Sequence, residues 1–586
     1  MSDTMSLVDQ GNLIDPGSPH GSYSGVIPQQ GTRWPKLAEE IIKRQKRLES
    51  IRESQDAVWD LIDTYVTARR ANFDIGSRKG AGSAGPGGDR IFDGTATLAL
   101  HDFADGWQAN TANAMVKWWG AKFRSKEAQK DFLVKRWLDE VEEAVSFELA
   151  QSNFYEQLNL CYQDITTHIA TMSGPQWDDE TNQLWFVENH PREIFFWVDW
   201  RGRPAGWHRK FLMSGRQIIE EFGEQAVPQS MREQVKANPF LNFTCIHAIF
   251  KREERDVRSP LSTDKPWASV YVLEQSKSVI HEGGYDKISL PDTAAWESDV
   301  TMPYGSNPAI STLYDVATTN EAMRTMINAA QLAVDPALIL TEGMKGRVNI
   351  FPAGQTIVKG AQDKVEAFQF PQQFNIGVQM LTDLRAELRE KFKANLFTMQ
   401  ADMGKLTAYQ SQMIQGEKAS MLIMPTSRAS SKMLVPKINK SFYALAKARR
   451  LPPPPPSAMQ YIQSPVDIEM MGPMAISAKR FLGTQGFQAL LGMLEETEKV
   501  FAPLAQSILE GFDADQIRDL LMTASGVSSK IEIDDKKLAM IRQMKAKMMQ
   551  QQQQQQAIGN LAEAYHKATN APEPGSPAQS LMGGGQ

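Results

Sequence analysis

Apolar positions between Leu37 and Arg70 recur on one helical face: Ile41, Leu48, Ile51, Val58, Ile62 and Tyr65 are spaced 7, 3, 7, 4 and 3 apart. This predicts a long first helix, preceded by a Gly-, Ser-, Pro- and Gln-rich arm over 1–33 that reads as disordered. A loop with six glycines follows at 76–89, and a second helical region is expected from Thr95 to Ala170. The period then shifts from helix to strand. Gln176-Trp177 and Leu184–Val187 flank one turn, and Ile194–Val198 and Gly206–Phe211 flank another, so two β-hairpins are predicted. A helix near Ser214–Gly223 leads to two strands, Cys245–Phe250 and Trp267–Glu274, around a charged loop.

Beyond residue 306 the pattern is helical. Asn307 followed by Pro308 forms a cap and a first helical position. Val316, Met323, Ile327, Ala330 and Val334 keep one face until Asp335-Pro336 stops it. A strand-like stretch runs through Ile339, Ile350 and Ile357, and a helix over 375–397 carries Leu381, Leu384, Leu388 and Phe392 in register. Thr407–Gln410 reads as a capping box for a helix reaching Arg450, with Pro425 and Pro436 expected to kink it twice. Pro452–Pro456 ends that helix. Residues 475–568 read as helical, with seven glutamines at 550–556, and the last residues as disordered.

Composition narrows the function. The chain has 586 residues, 42% apolar and 23% charged, with 63 Lys+Arg against 69 Asp+Glu, a net charge of −6 and a pI near 5.9. This argues against a protein that coats nucleic acid through a broad basic surface. Cys161 and Cys245 are too few for a disulfide framework or a Cys-rich zinc site, and read as buried apolar residues in a reducing compartment. No stretch of 18 apolar residues or signal-peptide pattern is seen, so the chain is expected to stay in the cell that makes it, or in an assembly built there. All 13 tryptophans lie at or before Trp296, and 22 of the 28 methionines lie after it.

Local motifs for chemistry are weak. Gly80, Gly82 and Gly85 match G-x-G-x-x-G, but a helix precedes them where a dinucleotide site needs a strand; a flexible loop is the stronger reading and a nucleotide-binding enzyme the rival. No Walker motif is seen. No two of the eight histidines stand closer than 18 residues, which excludes helix-spaced metal pairs. Asp178, Glu180 and Asn182 have calcium-loop spacing but lack its glycine and final glutamate, so a turn is expected. No catalytic residue, metal or cofactor is assigned. Lysines between the two long helices, Lys391, Lys393 and Lys405, read either as phosphate contacts in a channel or as cations complementing helix ends.

The stretch from Pro303 to Leu340, PYGSNPAISTLYDVATTNEAMRTMINAAQLAVDPALIL, resembles the portal, or head-to-tail connector, proteins of short-tailed phages. Tyr304-Gly305 with Pro308, Asn320-Glu321, Asp335–Ile339 and Gly354 occupy the family's places. So do Arg44, Leu48, Arg52 and Trp59 of the first helix, Asp199–Gly202, His208–Phe211, Leu406–Ala408 with Glu417, and Leu451–Pro453. Gln412 or Met413 stands where that family has arginine. The resemblance covers about 37–480.

The resemblance implies an α+β, predominantly helical portal fold with wing, stem, clip and crown or barrel regions, closing into a ring of about twelve copies. The expected division is a wing over 34–213, stem helix 214–241, clip 242–303, stem helix 304–334 and wing strands and helix 335–396. It continues with a tunnel loop over 397–406, a kinked wing helix over 407–456, a crown over 457–568 and a tail over 569–586. Lys251, Arg252, Arg255 and Arg258 are then candidate docking residues of the clip. The implied function is a conduit for double-stranded DNA at one capsid vertex in packaging and ejection. Implied partners are further copies of the chain, major capsid and scaffolding proteins, a terminase that hydrolyses ATP, and a tail adaptor, with no membrane. The protein would be made in the host cytoplasm and reside in the virion. A scaffolding or internal virion protein is the alternative.

Overall fold

The computed structural model describes residues 33–67, 73–74, 77–78, 91–178, 180–256, 258–259, 261–285, 290–298, 302–335, 338–340, 348, 356, 360, 365–367, 374–397, 408–461, 466–483 and 535–569. In chain order these form α1 (Arg33–Tyr65), β1 (Phe73–Asp74), β2 (Ser77–Arg78), α2 (Thr95–Thr111), β3 (Trp119–Phe123), α3 (Phe132–Gln151) and α4 (Phe154–Thr167). Strands β4 (Ala170–Asp178), β5 (Gln183–Glu188), β6 (Ile194–Val198) and β7 (Pro204–Ser214) follow. Next come α5 (Gly215–Phe222), α6 (Gln229–Ala237), β8 (Asn242–Lys251), β9 (Trp267–Leu273), β10 (Ser278–Tyr285) and β11 (Asp292–Ala294). The remainder is α7 (Pro308–Val334), β12 (Leu338–Leu340), β13 (Val365–Ala367), α8 (Phe374–Lys391), α9 (Ala408–Met421), α10 (Ile423–Ala429), α11 (Val435–Lys447), α12 (Pro456–Met459), β14 (Val466–Met470), α13 (Pro473–Gly483) and α14 (Asp535–Thr569).

Strands β6 to β10 make one antiparallel meander in the order β10-β9-β8-β7-β6. Strand alternation gives it two apolar faces. Ile246, Ala248, Ala268, Val270 and Val272 pack under Ala38, Ile41 and Ile42 of α1. Cys245 and Leu273 on the opposite face pack under Ile218, Phe222, Met231 and Val235 of α5 and α6. The Ser214–Gln217 capping box starts α5 at the end of β7, so the helix folds back onto its own sheet. The helix expected across 214–241 is therefore two short helices, and the strands of 242–285 continue the sheet begun by the β6–β7 hairpin.

A second core gathers α2, α3, α4, β3, the β4–β5 hairpin and α9 to α13. Here the structure departs from the helical reading of 95–170. Trp119–Phe123 is a strand because Val466–Met470 pairs with it, Trp119 against Met470 and Phe123 against Val466. In the turn before β5, Asp178 Oδ1 accepts the Glu180 N–H at 3.0 Å and Oδ2 the Thr181 hydroxyl at 2.7 Å, so its carboxylate is used by the turn itself.

The buried line of α1 also differs from the expected face. Leu48, Trp59, Ile62 and Val66 are buried with Gln45 and Arg52, whereas Ile51 is exposed. Arg52 replaces an apolar residue because its guanidinium donates to the carbonyls of Pro191, Arg192 and Ile194 and lies 3.7 Å from the Phe195 ring centroid. A buried guanidinium is tolerated when its donors are satisfied.

Candidate channel and docking elements

Helices α7 and α8 run antiparallel. Gly377 faces the Met326 side chain, Arg385 reaches Met323, and Lys391 meets Asp315. The N-terminus of α7 is fixed first: Asn307 Oδ1 accepts the Ile310 N–H at 2.9 Å, and its Nδ2 donates to the carbonyls of Thr167 and His168. Ala309, Leu313 and Val316 then join Leu388 and Phe392 in a shared core. Midway, Asn320 Oδ1 accepts the backbone N–H groups of Phe92 and Asp93 at 2.7 and 3.2 Å. Burial alone would raise the Asp93 carboxyl, but hydrogen bonds from Thr95 and Arg385 hold it below its ordinary value. Past this clamp the pair leaves the core: Leu332, Val334, Val378 and Met380 are exposed, Val334 at 87%, as are Ile339 and Leu340 of β12 beyond it.

Of the three channel lysines, Lys391 donates to Asp315 at 2.6 Å and pairs with Glu387 at 2.7 Å, and these bonds hold its ammonium above the ordinary range. Lys393 sits in the left-handed region, φ 59°, as the cap of a short 3₁₀ turn over Ala394–Leu396. Lys405 lies outside the described residues, as do Thr407, Ile350, Ile357, Gly354 and the glycines at 80, 82 and 85. The three lysines are therefore not brought into one described cluster.

The four docking candidates split. Lys251, Arg255 and Arg258 are exposed around the β8–β9 connection. Arg252 is turned inward: it pairs with the fully buried Glu282 at 2.5 Å and donates to the Gly283 carbonyl at 2.7 Å. Glu282 also accepts from Trp34 Nε1 of α1 at 2.7 Å. Arg252 thus joins α1 to the sheet rather than presenting a charge outward. Sequence reading grouped it with its neighbours because a charge run carries no signal of which member folds in.

The kinked helix has its bends where the prolines place them. Helix α9 ends and α10 starts around Leu422, before Pro425, and a π turn over Ser430–Leu434 precedes Pro436. Proline has no N–H for an i−4 bond and clashes with that carbonyl, so each break falls just before its proline. Beyond the π turn, Lys437 is fully buried. Its Nζ donates to the carbonyls of Met172 and Gly174 at 2.8 and 2.6 Å and lies 2.9 Å from Asp292 Oδ2. Burial lowers this ammonium to about 8, against the opposing pull of Asp292. Lys440 donates to the same carboxylate at 2.8 and 2.9 Å. No sequence motif marked this cluster, since its members come from three distant segments.

Among the described residues no group of three or more His, Cys, Asp or Glu is placed to hold a metal, and no helix is long and apolar enough to cross a membrane. Helices α7 and α8 are rooted in a core at one end and exposed at the other, and the bent helix is pinned to Asp292 by Lys437 and Lys440. The chain belongs to the bacteriophage head to tail connecting protein family, whose model matches residues 38–532. It is 25% identical over 518 residues to the probable portal protein of Bordetella phage BPP-1, covering 86% of this chain and 90% of that one. It is 22% identical over 530 residues to the portal protein of Salmonella phage epsilon15, covering 87% and 91%.

Proposed function

We propose that this chain is a phage portal subunit, and that copies of it close into a ring of about twelve that carries double-stranded DNA at one capsid vertex. Membership of the head to tail connecting family supports the portal role. The observation that carries the ring is the α7–α8 pair, whose far half leaves apolar side chains uncovered within one subunit. Exposed apolar surface of this kind marks an interface, and identical copies around an axis would cover it.

On this reading α7 and α8 are the two stem helices. The clip then falls on the connection between them, from which β12 and β13 are described, rather than on 242–303, whose strands are built into the wing sheet. The tunnel loop is assigned by the resemblance to 397–406, of which only Phe397 lies among the described residues, and α9 to α11 are assigned to the wing. A net charge of −6 per subunit keeps the wall from binding phosphates tightly, while a few lysine positions centre the duplex. The terminase docks on the stem tip during packaging and a tail adaptor replaces it, with the work of ATP hydrolysis done by the terminase. Capsid and scaffolding proteins meet the outer wing.

Electron microscopy of the purified protein, viewed down the particle axis, tests this. A closed ring with a channel that admits duplex DNA is expected. A chain that stays a lone subunit under assembly conditions, and is missing from the unique vertex of mature particles, would overturn it.

A further inference from the structure

A strap formed by residues 290–298 crosses the bent helix on both sides of its π turn. Before the turn, Arg428 Nη1 donates to the Trp296 carbonyl at 2.6 Å. Within it, Lys432 Nζ donates to Ser298 Oγ at 3.2 Å. After it, Lys437 and Lys440 hold Asp292, and Lys440 also donates to the Leu290 carbonyl at 3.0 Å. The far end of the strap is tied to the root of α7. Glu297 and Ser306 exchange backbone hydrogen bonds at 3.2 and 2.9 Å, one residue before the Asn307 cap. Gly305 sits at φ 75°, and a Cβ there would lie 1.9 Å from the Glu297 carbonyl oxygen, so only glycine allows this approach.

A π turn holds one residue more than the α-helical register. Returning it to α-helix rotates everything downstream by roughly 100°, the step of one residue. That rotation would carry Lys437 and Lys440 away from Asp292 while Arg428 stayed in place. The Asp292 contacts and the π register therefore stand or fall together. We infer that the strap 290–298 is a mechanical link: the π turn of the bent helix is a two-state joint, and its state is transmitted through Glu297–Ser306 to the root of the α7–α8 pair.

The link goes beyond the ring reading and is a property of each subunit, so its failure would leave that reading intact. Coupling of this kind is reciprocal. Amide hydrogen exchange on the full chain reads it from both sides. The Arg428→Ala/Lys440→Met double variant should speed exchange about fivefold or more both in 430–437 and in 308–316, with α3 unchanged. Asn307→Ala, which loosens the root of α7, should speed exchange in 430–437. Lys432→Gln, at an exposed position, tests the same two-site pattern without threatening the fold. Rises that stay on the altered side in both directions, or that extend equally to α3, overturn the link.

Discussion

Asp93 and Arg385 are 292 residues apart in sequence and meet in an ion pair, with the guanidinium donating to Oδ2 from Nε at 2.8 Å and from Nη2 at 2.7 Å. Asn320 holds the same turn from the other helix. Asn320→Ala would leave the Asp93 N–H buried without its acceptor. The expected cost is about 1–3 kcal/mol, read as a lower urea midpoint at unchanged slope.

Arg252→Ala should be far more damaging than its neighbours. It removes the guanidinium from the fully buried Glu282 carboxylate, which also accepts from Trp34. A loss of about 3–5 kcal/mol is expected. Arg255→Ala and Arg258→Ala, both exposed, should stay within about 0.5 kcal/mol. Thermal melts of the three variants check the ranking.

Three histidines of the meander should make it acid-sensitive. Burial, with Arg44 nearby, lowers His208 to about 3; burial, opposed by Glu282, lowers His281 to about 4. His247 is lowered by burial and by Arg209, His281 and His208. Each binds a proton more readily unfolded than folded. Their contribution is thus fully present above pH 6.5 and is lost as pH falls toward 4. Denaturation at stepped pH should show stability dropping below 6.5, less steeply in His208→Gln.

Lys437 predicts a change at the alkaline end. Its folded value near 8 lies below the ordinary 10.5, so the unfolded chain binds the extra proton between those values. Stability should rise with pH across that window, by roughly 3 kcal/mol at most. Lys437→Met should abolish the rise, as measured by paired denaturation curves at pH 7 and 10.

Lys391 and Lys393 should separate stability from DNA handling. Lys391→Glu places a third carboxylate beside Asp315 and Glu387 and should lower the melting temperature. Lys393→Glu should leave the melt unchanged and weaken DNA retention in packaging assays, as should Lys405→Glu. Wild-type retention in both would remove these lysines from the channel wall.

Much of the local build was legible. The two hairpins, the Asn307–Pro308 start and the two proline breaks follow from short-range rules, because turn, cap and ring geometry are decided within a few residues. What escaped is non-local. The β3 strand depends on a partner about 350 residues on, and the buried faces of α5 and α6 depend on the sheet they pack against. The same holds for the candidate sites: Lys437 and Arg252 look like any surface cation until distant acceptors surround them.

Asp292 answers to two ammonium groups at once. Asp292 cannot change alone without leaving the buried Lys437 ammonium without its carboxylate. Across diverging phages these positions should therefore change as a set, so that covariation among them, rather than identity at any one, becomes the signature by which a relative that keeps this joint is told from one that has lost it.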